Sequence, residues 1–96
     1  MSHFSKTFRS IIRGDRDTNL RFADLRQVLL RLGFDERIRG GHHIFTRADS
    51  AEIINIQSAR GKAKPYQVKQ VRDIILENGL GPDEEDNDER SGEEDE

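Results

Sequence analysis

Ninety-six residues without a cysteine make at most one small domain, which neither a disulfide nor a thiolate-bound metal can staple. No apolar stretch approaches the ~18 residues of a membrane span and no signal-peptide pattern opens the chain, so a soluble, cytoplasmic protein is expected. The net charge of −3 is the sum of two opposed parts. Residues 83–96 carry ten acids against Arg90 alone; taking these from the 19 acids and 16 bases of the chain leaves nine and fifteen in residues 1–80, a net of +6. A basic folded part favours polyanions, with a bias toward solubility as the competing explanation.

Phe4, Phe8, Ile11 and Ile12 recur at i, i+4, i+7 and i+8, one face of a short helix that Ser5 is placed to cap and Gly14 to end. Residues 15–19 show no periodicity and read as a loop. Phe22, Leu25, Val28, Leu29 and Leu32 then form the apolar stripe of a second helix, with Asp24 in its first turn. Gly33 stands where a left-handed cap is needed, with Phe34 folding back onto the last turn. Arg21, Arg26 and Arg31 fall on the opposite face, which reads as solvated surface.

Three strands follow, over 34–39, 43–47 and 52–57. Gly40-Gly41 is a strong hairpin signal, because two-residue loops need positive φ. If Gly40-Gly41 is the whole loop, Arg39 pairs with His42, and His42 shares a face with Arg37, Arg39 and Ile44. Ile38, His43 and Phe45 then face the helices; a three-residue loop reverses the two faces. Arg60, Lys62 and Lys64 lead into Pro65, which fits the first position of a helix running to Asn78, with Val68, Val71, Ile74 and Ile75 inward. After Pro82 the chain is acidic, poor in apolar residues and expected to be disordered. The expected fold is α+β: a three-stranded antiparallel sheet with two helices on one face in the order α-β-β-β-α, plus an extra N-terminal helix. The expected division is 1–21 for that helix and loop, 22–80 for the domain and 81–96 for the tail.

Leu32-Gly33-Phe34, the Gly40-Gly41-His42-His43-Ile44-Phe45 stretch and the Lys62-Ala63-Lys64-Pro65 helix start, in that order, resemble the HicA family of toxins. The resemblance spans about Phe22 to Leu80. It implies a fold similar to the double-stranded-RNA-binding domain. It also implies the toxin of a bacterial type II toxin–antitoxin system, an endoribonuclease that cleaves mRNA and is neutralised by a HicB-like antitoxin. The family motif places its catalytic histidine where His42 stands, and its usual serine before that histidine is Gly41 here.

Read without the family, His42 is favoured as a plain surface histidine over a catalyst, and the matched spacing reverses that order. An exposed imidazole transfers protons near neutral pH, and cations offset charge developing on a phosphoryl group. The expected site is His42 as acid–base residue, with Gly41, Arg37, Arg39, Arg60, Lys62 and Lys64 holding substrate. A basic loop before a helix N-terminus is a credible phosphate grip, against the plainer reading of a flexible loop. Tyr66 either stacks on a base or packs, with packing favoured. His42 and His43 are adjacent on one strand and point to opposite faces, so they do not suit one metal ion, and no cofactor is expected. His3 reads as incidental. The competing function is a non-catalytic RNA-binding or protein-interaction module. The acidic tail is either a solubility device or an electrostatic competitor for the RNA site.

Overall fold

The computed structural model describes residues 2–81, so the expectations for the acidic tail at 82–96 lie outside the described residues. Helix α1 spans His3–Arg13. Its cap is Ser2, whose hydroxyl accepts the Ser5 N–H at 3.0 Å, and not Ser5 as expected. Starting the helix three residues earlier brings Phe4 onto the buried face with Thr7 and Ile11. Gly14 ends it at φ 75°, the left-handed conformation a side chain would resist.

Helix α2 spans Phe22–Arg31. Gly33, at φ 95°, lets its own N–H reach the Leu30 carbonyl at 3.0 Å and the Phe34 N–H reach that of Leu29 at 3.1 Å. Those two bonds satisfy carbonyls that the helix end would otherwise strand. Phe34 therefore belongs to the cap, and strand β1 begins one residue later than expected, at Asp35–Arg39. Strands β2 (His42–Thr46) and β3 (Ile53–Gln57) complete an antiparallel sheet in the order β1-β2-β3. Helix α3, Pro65–Asn78, closes the described fold, with Gly79 at φ 63° as its cap.

Phe45, Ile54 and Ile56 are wholly buried and share one core with Leu25, Val28 and Leu29 of α2 and Val68 and Val71 of α3. The third helix is part of the same core. Phe4 and Ile11 of α1 join that cluster, and α1 packs against both other helices. Arg72 of α3 fastens it, donating to the Ile11 carbonyl at 3.2 Å and to both Asp17 oxygens at 3.0 Å. The arginine face of α2, read from sequence as solvated, is used structurally at two of its positions. Arg31 lies 4.5 Å over the Phe4 ring, and Arg26 grips Glu36 of β1 through two bonds of 2.7 Å.

Glu36 is the junction between sheet and helices. Its carboxylate also lies 2.7 Å from His43 Nδ1, and the His43 ring meets Phe22 edge-on at 4.8 Å. The Arg26 guanidinium above all, with help from His43 and against the opposing pull of desolvation, holds the Glu36 carboxyl down to about 2. A depressed carboxyl contributes stability above its unfolded value of 4.5 and loses it as pH falls toward the folded value. Urea midpoints of the wild type should therefore fall more steeply between pH 4.5 and pH 2 than those of Glu36→Gln, and the gap between them should close. Parallel curves over that range would remove Glu36 from this role.

Candidate nucleic-acid interface

The hairpin between β1 and β2 sets the faces. Gly40-Gly41 is a two-residue loop, and Arg39 pairs with His42, Ile38 with His43 and Arg37 with Ile44. On the other side His42 pairs with Gln57 and Ile44 with Asn55. Since side chains alternate along a strand, Arg37, Arg39, His42, Ile44, Asn55 and Gln57 share the outer face, away from the helices. Of the two loop glycines only Gly40 takes positive φ, 62°. That pattern belongs to the hairpin turn with glycine at its first central position.

His42 is exposed, and its Nδ1 faces the Asn55 carbonyl oxygen at 3.2 Å. With that oxygen accepting, Nδ1 carries the proton and Nε2 keeps a free lone pair, the form a general base requires. Asn55 was not singled out from sequence. Its signal was there all the same: Ile54 and Ile56 alternate inward, which turns Asn55 outward, diagonal to His42. The neighbouring imidazole is committed elsewhere. His43 points to the opposite face and is held by Glu36 and Phe22. His3 lies 3.0 Å from Asp24, far along the chain from this face.

The basic loop starts where the His42 row ends, because His42 pairs with Gln57 and Ser58 follows directly. Its backbone is tied down by hydrogen bonds on both sides. Ala59 and Lys62 exchange backbone bonds of 2.9 and 3.1 Å around Arg60 and Gly61, at φ 56° and 83°. The Phe22 N–H donates to the Gly61 carbonyl at 3.0 Å, and the Ala63 N–H to that of Leu20 at 2.9 Å, so the loop is pinned to the start of α2. From the other side, Gln67 is buried in α3. With its amide oriented to satisfy both groups, it donates to the Gln57 carbonyl at 3.3 Å and accepts the Gln57 N–H at 3.1 Å. This clamp sets the α3 N-terminus against the end of β3.

Of the two helix starts at this end only that of α2 holds a first-turn acid, Asp24. Lys64 is the N-cap of α3, Arg21 that of α2, and the first turn of α3 holds no acid. Helix N-termini are positive, so a cation there is the reverse of the usual choice. Elsewhere the cations Arg26, Arg47, Lys69 and Arg72 are paired with acids. Arg37, Arg39, Arg60 and Lys64 form no ion pair among the described residues, and Lys62 meets only the neutral Asn19 oxygen at 3.0 Å. Tyr66, for which packing was favoured, is instead 65% exposed in the first turn of α3, because the inward stripe of that helix begins at Gln67 and Val68. Its ring is open to stacking on a base. Among the described residues no group of three or more His, Asp or Glu side chains is placed to hold a metal ion.

The structure thus brings His42, Arg39, Arg60, Lys62 and Lys64 to one end of the sheet, with Gly41 in the turn itself and Arg37 one row further along the outer face. No protein-family model, curated protein or solved structure matches the chain.

Arg60 pays for its place with a left-handed backbone that costs a side-chain-bearing residue ~1–2 kcal/mol. Arg60→Gly should relieve part of that cost, raising the urea midpoint slightly while weakening polyanion binding. A lower midpoint would show that the Arg60 side chain holds the loop together. Gly41 needs no such freedom, and a Cβ there would meet only the flexible Gln57 amide at 3.4 Å. Gly41→Ser should fold with unchanged stability and Gly40→Ser should not, which thermal unfolding of the two variants decides.

Proposed function

We propose that this chain is a metal-independent endoribonuclease of the HicA kind, with a double-stranded-RNA-binding-like fold that cleaves mRNA on the outer face of its sheet. The observation that carries the reading is that His42 stands in a row with Arg39 at the end of the sheet from which the basic 60–64 loop leaves. A polyanion would supply the negative charge this surface lacks.

In this reading Arg39, Arg60, Lys62 and Lys64 grip successive phosphates and Tyr66 stacks on an unpaired base. Asn55 keeps the His42 imidazole in its Nε2-basic tautomer. Nε2 removes the proton of a ribose 2′-hydroxyl, whose oxygen attacks the adjacent phosphorus. The 5′-oxygen leaves with a proton from water, giving a 2′,3′-cyclic phosphate and a 5′-hydroxyl. Arg39 offsets the charge that builds on the phosphoryl oxygens. Gly41 leaves the turn backbone open to close approach by substrate. The role of toxin in a bacterial type II pair, and a HicB-like antitoxin as partner, rest on the family resemblance.

His42→Ala should keep the wild-type unfolding midpoint to within ~0.5 kcal/mol, as expected of an exposed side chain. It should lose ~10²–10⁴-fold in RNA cleavage, measured in EDTA by fragment analysis. His43→Ala should destabilise by about 1–3 kcal/mol through the bond it strands on Glu36. Full cleavage by folded His42→Ala would end the assignment, and intact RNA with tight binding by the wild type would leave a non-catalytic RNA-binding module.

The grip is tested separately. Lys62→Ala/Lys64→Ala should flatten the dependence of log affinity on log salt for single-stranded RNA by about 1.4, at ~0.7 per lost phosphate contact. The loss should not depend on RNA sequence. An unchanged slope would take the loop out of the interface.

A further inference from the structure

Helix α1 carries a second charged surface that the site above does not use. Its exposed positions are His3, Lys6, Arg9 and Arg13, spaced at three, three and four residues, so they line one face of the helix. The helix contains no acid at all. Lys6 stands at i−3 and Arg13 at i+4 from Arg9, so each neighbour on this face repels the next. Helix α3 follows the ordinary pattern instead, with Lys69 and Asp73 paired across one turn at 3.0 Å. Lys6, Arg9 and Arg13 form no ion pair among the described residues, and the nearest acids in sequence do not relieve them: Asp17 is held by Arg72 and Asp24 by His3. Asp15, exposed past the end of the helix, is the only other acid near the row in sequence.

The apolar face of α1 is already spent. Phe4 and Ile11 lie in the core, with Phe8 and Ile12 packed against it. An amphipathic helix whose apolar side is buried in its own protein cannot insert it into a lipid surface, so the basic row remains as an electrostatic ridge alone. From Lys6 to Arg13 the ridge runs about 10 Å at ~1.5 Å per residue. A nucleic-acid strand advances ~3.4 Å per phosphate along a duplex axis, so a run of about four phosphates spans the same length as the three cations. Helix α1 packs against α2 and α3, the helices that share the core with the inner face of the sheet, whereas His42 stands on the outer face.

We propose that α1 is a second, non-catalytic docking surface for the phosphate backbone of RNA, through Lys6, Arg9 and Arg13. The inference rests on the reading of the chain as RNA-binding. It adds that an RNA long enough to pass around the domain is held on two faces, while a short one meets the His42 face alone. The contact is to phosphates and is blind to sequence.

The test uses the full chain carrying His42→Ala, so that RNA survives the titration whether or not the wild type cleaves it. Affinity for a fluorescein-labelled 30-nucleotide RNA is read by anisotropy across a salt series, with and without Lys6→Ala/Arg9→Ala/Arg13→Ala. Alanine is the strongest helix former, and helicity by circular dichroism should be retained. Three lost contacts should flatten the log–log slope by about 2, at ~0.7 each. Arg9→Ala alone should flatten it by about 0.7, which keeps the test decisive if the triple variant unfolds. Arg9→Lys/Arg13→Lys should retain the wild-type slope. In a wild-type His42 background, the triple variant should cleave a trinucleotide at the unaltered rate and bind the long RNA more weakly. An unchanged slope in the folded variants overturns the proposal. So does a loss of binding to polyglutamate with none to RNA, which would mark the ridge as a site for an acidic protein. Absence of cleavage by the wild type would count against the enzyme reading and leave the binding result standing.

Discussion

The Glu36 carboxylate decides which of two adjacent histidines reaches solvent. It takes two bonds from Arg26 of α2 and lies within bonding distance of His43 of β2, so one side chain joins a helix to two strands. Adjacent strand residues face opposite ways, and a ring held inward at position 43 forces position 42 outward. A register slip of one residue would exchange the two rings, leave Glu36 without its imidazole, and drive Phe45 out of the core. The network therefore acts on the site from the far side of the sheet. Its charge is desolvated only at an edge, where a bidentate guanidinium can offset the penalty that a deeper ion pair would meet.

A second constraint is the concentration of positive charge at the end of the molecule where α2 and α3 begin. Arginine and lysine stand at the N-caps of both helices, positions where serine or aspartate would stabilise by ~1 kcal/mol. Arg60 adds a left-handed backbone, and the loop places three bases within five residues. Each of these choices opposes local stability, and they coincide at one end of the sheet. Local rules are commonly broken where a surface serves something other than folding. Outside this end and the basic row of α1 the chain follows them: Gly14, Gly33 and Gly79 take the left-handed conformation at helix ends, Pro65 opens a helix, and Lys69 pairs with Asp73.

The same contrast explains what was legible in the sequence. Helix α3 was readable to the residue, because Pro65 and Asn78-Gly79 are signals carried by the backbone itself. The sequence left two hairpin loops open, of two and three residues; the two-residue loop is the one formed, and the Arg39–His42 register and the facing of both histidines follow from it. Tertiary contacts were less visible. Nothing local distinguishes Arg26 and Arg31, bound to Glu36 and Phe4, from arginines on a solvated face; the partners lie ten and twenty-seven residues away in sequence. Tyr66 was misjudged for the opposite reason. An aromatic in a first turn invites burial, but Gln67 takes the buried position in order to satisfy the Gln57 backbone. Ser5 was a plausible cap until Phe4 was needed in the core.

The basic loop is tied down by its own backbone. Four backbone bonds, two within the Ala59–Lys62 turn and two to residues at the start of α2, fix its path before any ligand arrives. A free loop would have to give up its backbone freedom on binding, at ~1–2 kcal/mol per residue, and that loss would come out of the affinity. Here folding has already met it, because Ala63 and Leu20 are buried in the same core that the loop spans. The lysine and arginine stems remain free to adjust while their anchor points do not move. A fixed set of anchor points with mobile charged ends suits a regular, repeating polyanion better than a unique ligand. It also explains how so much like charge can be held close together: the core enforces the spacing, and in the proposed reading an anion would relieve the repulsion that remains.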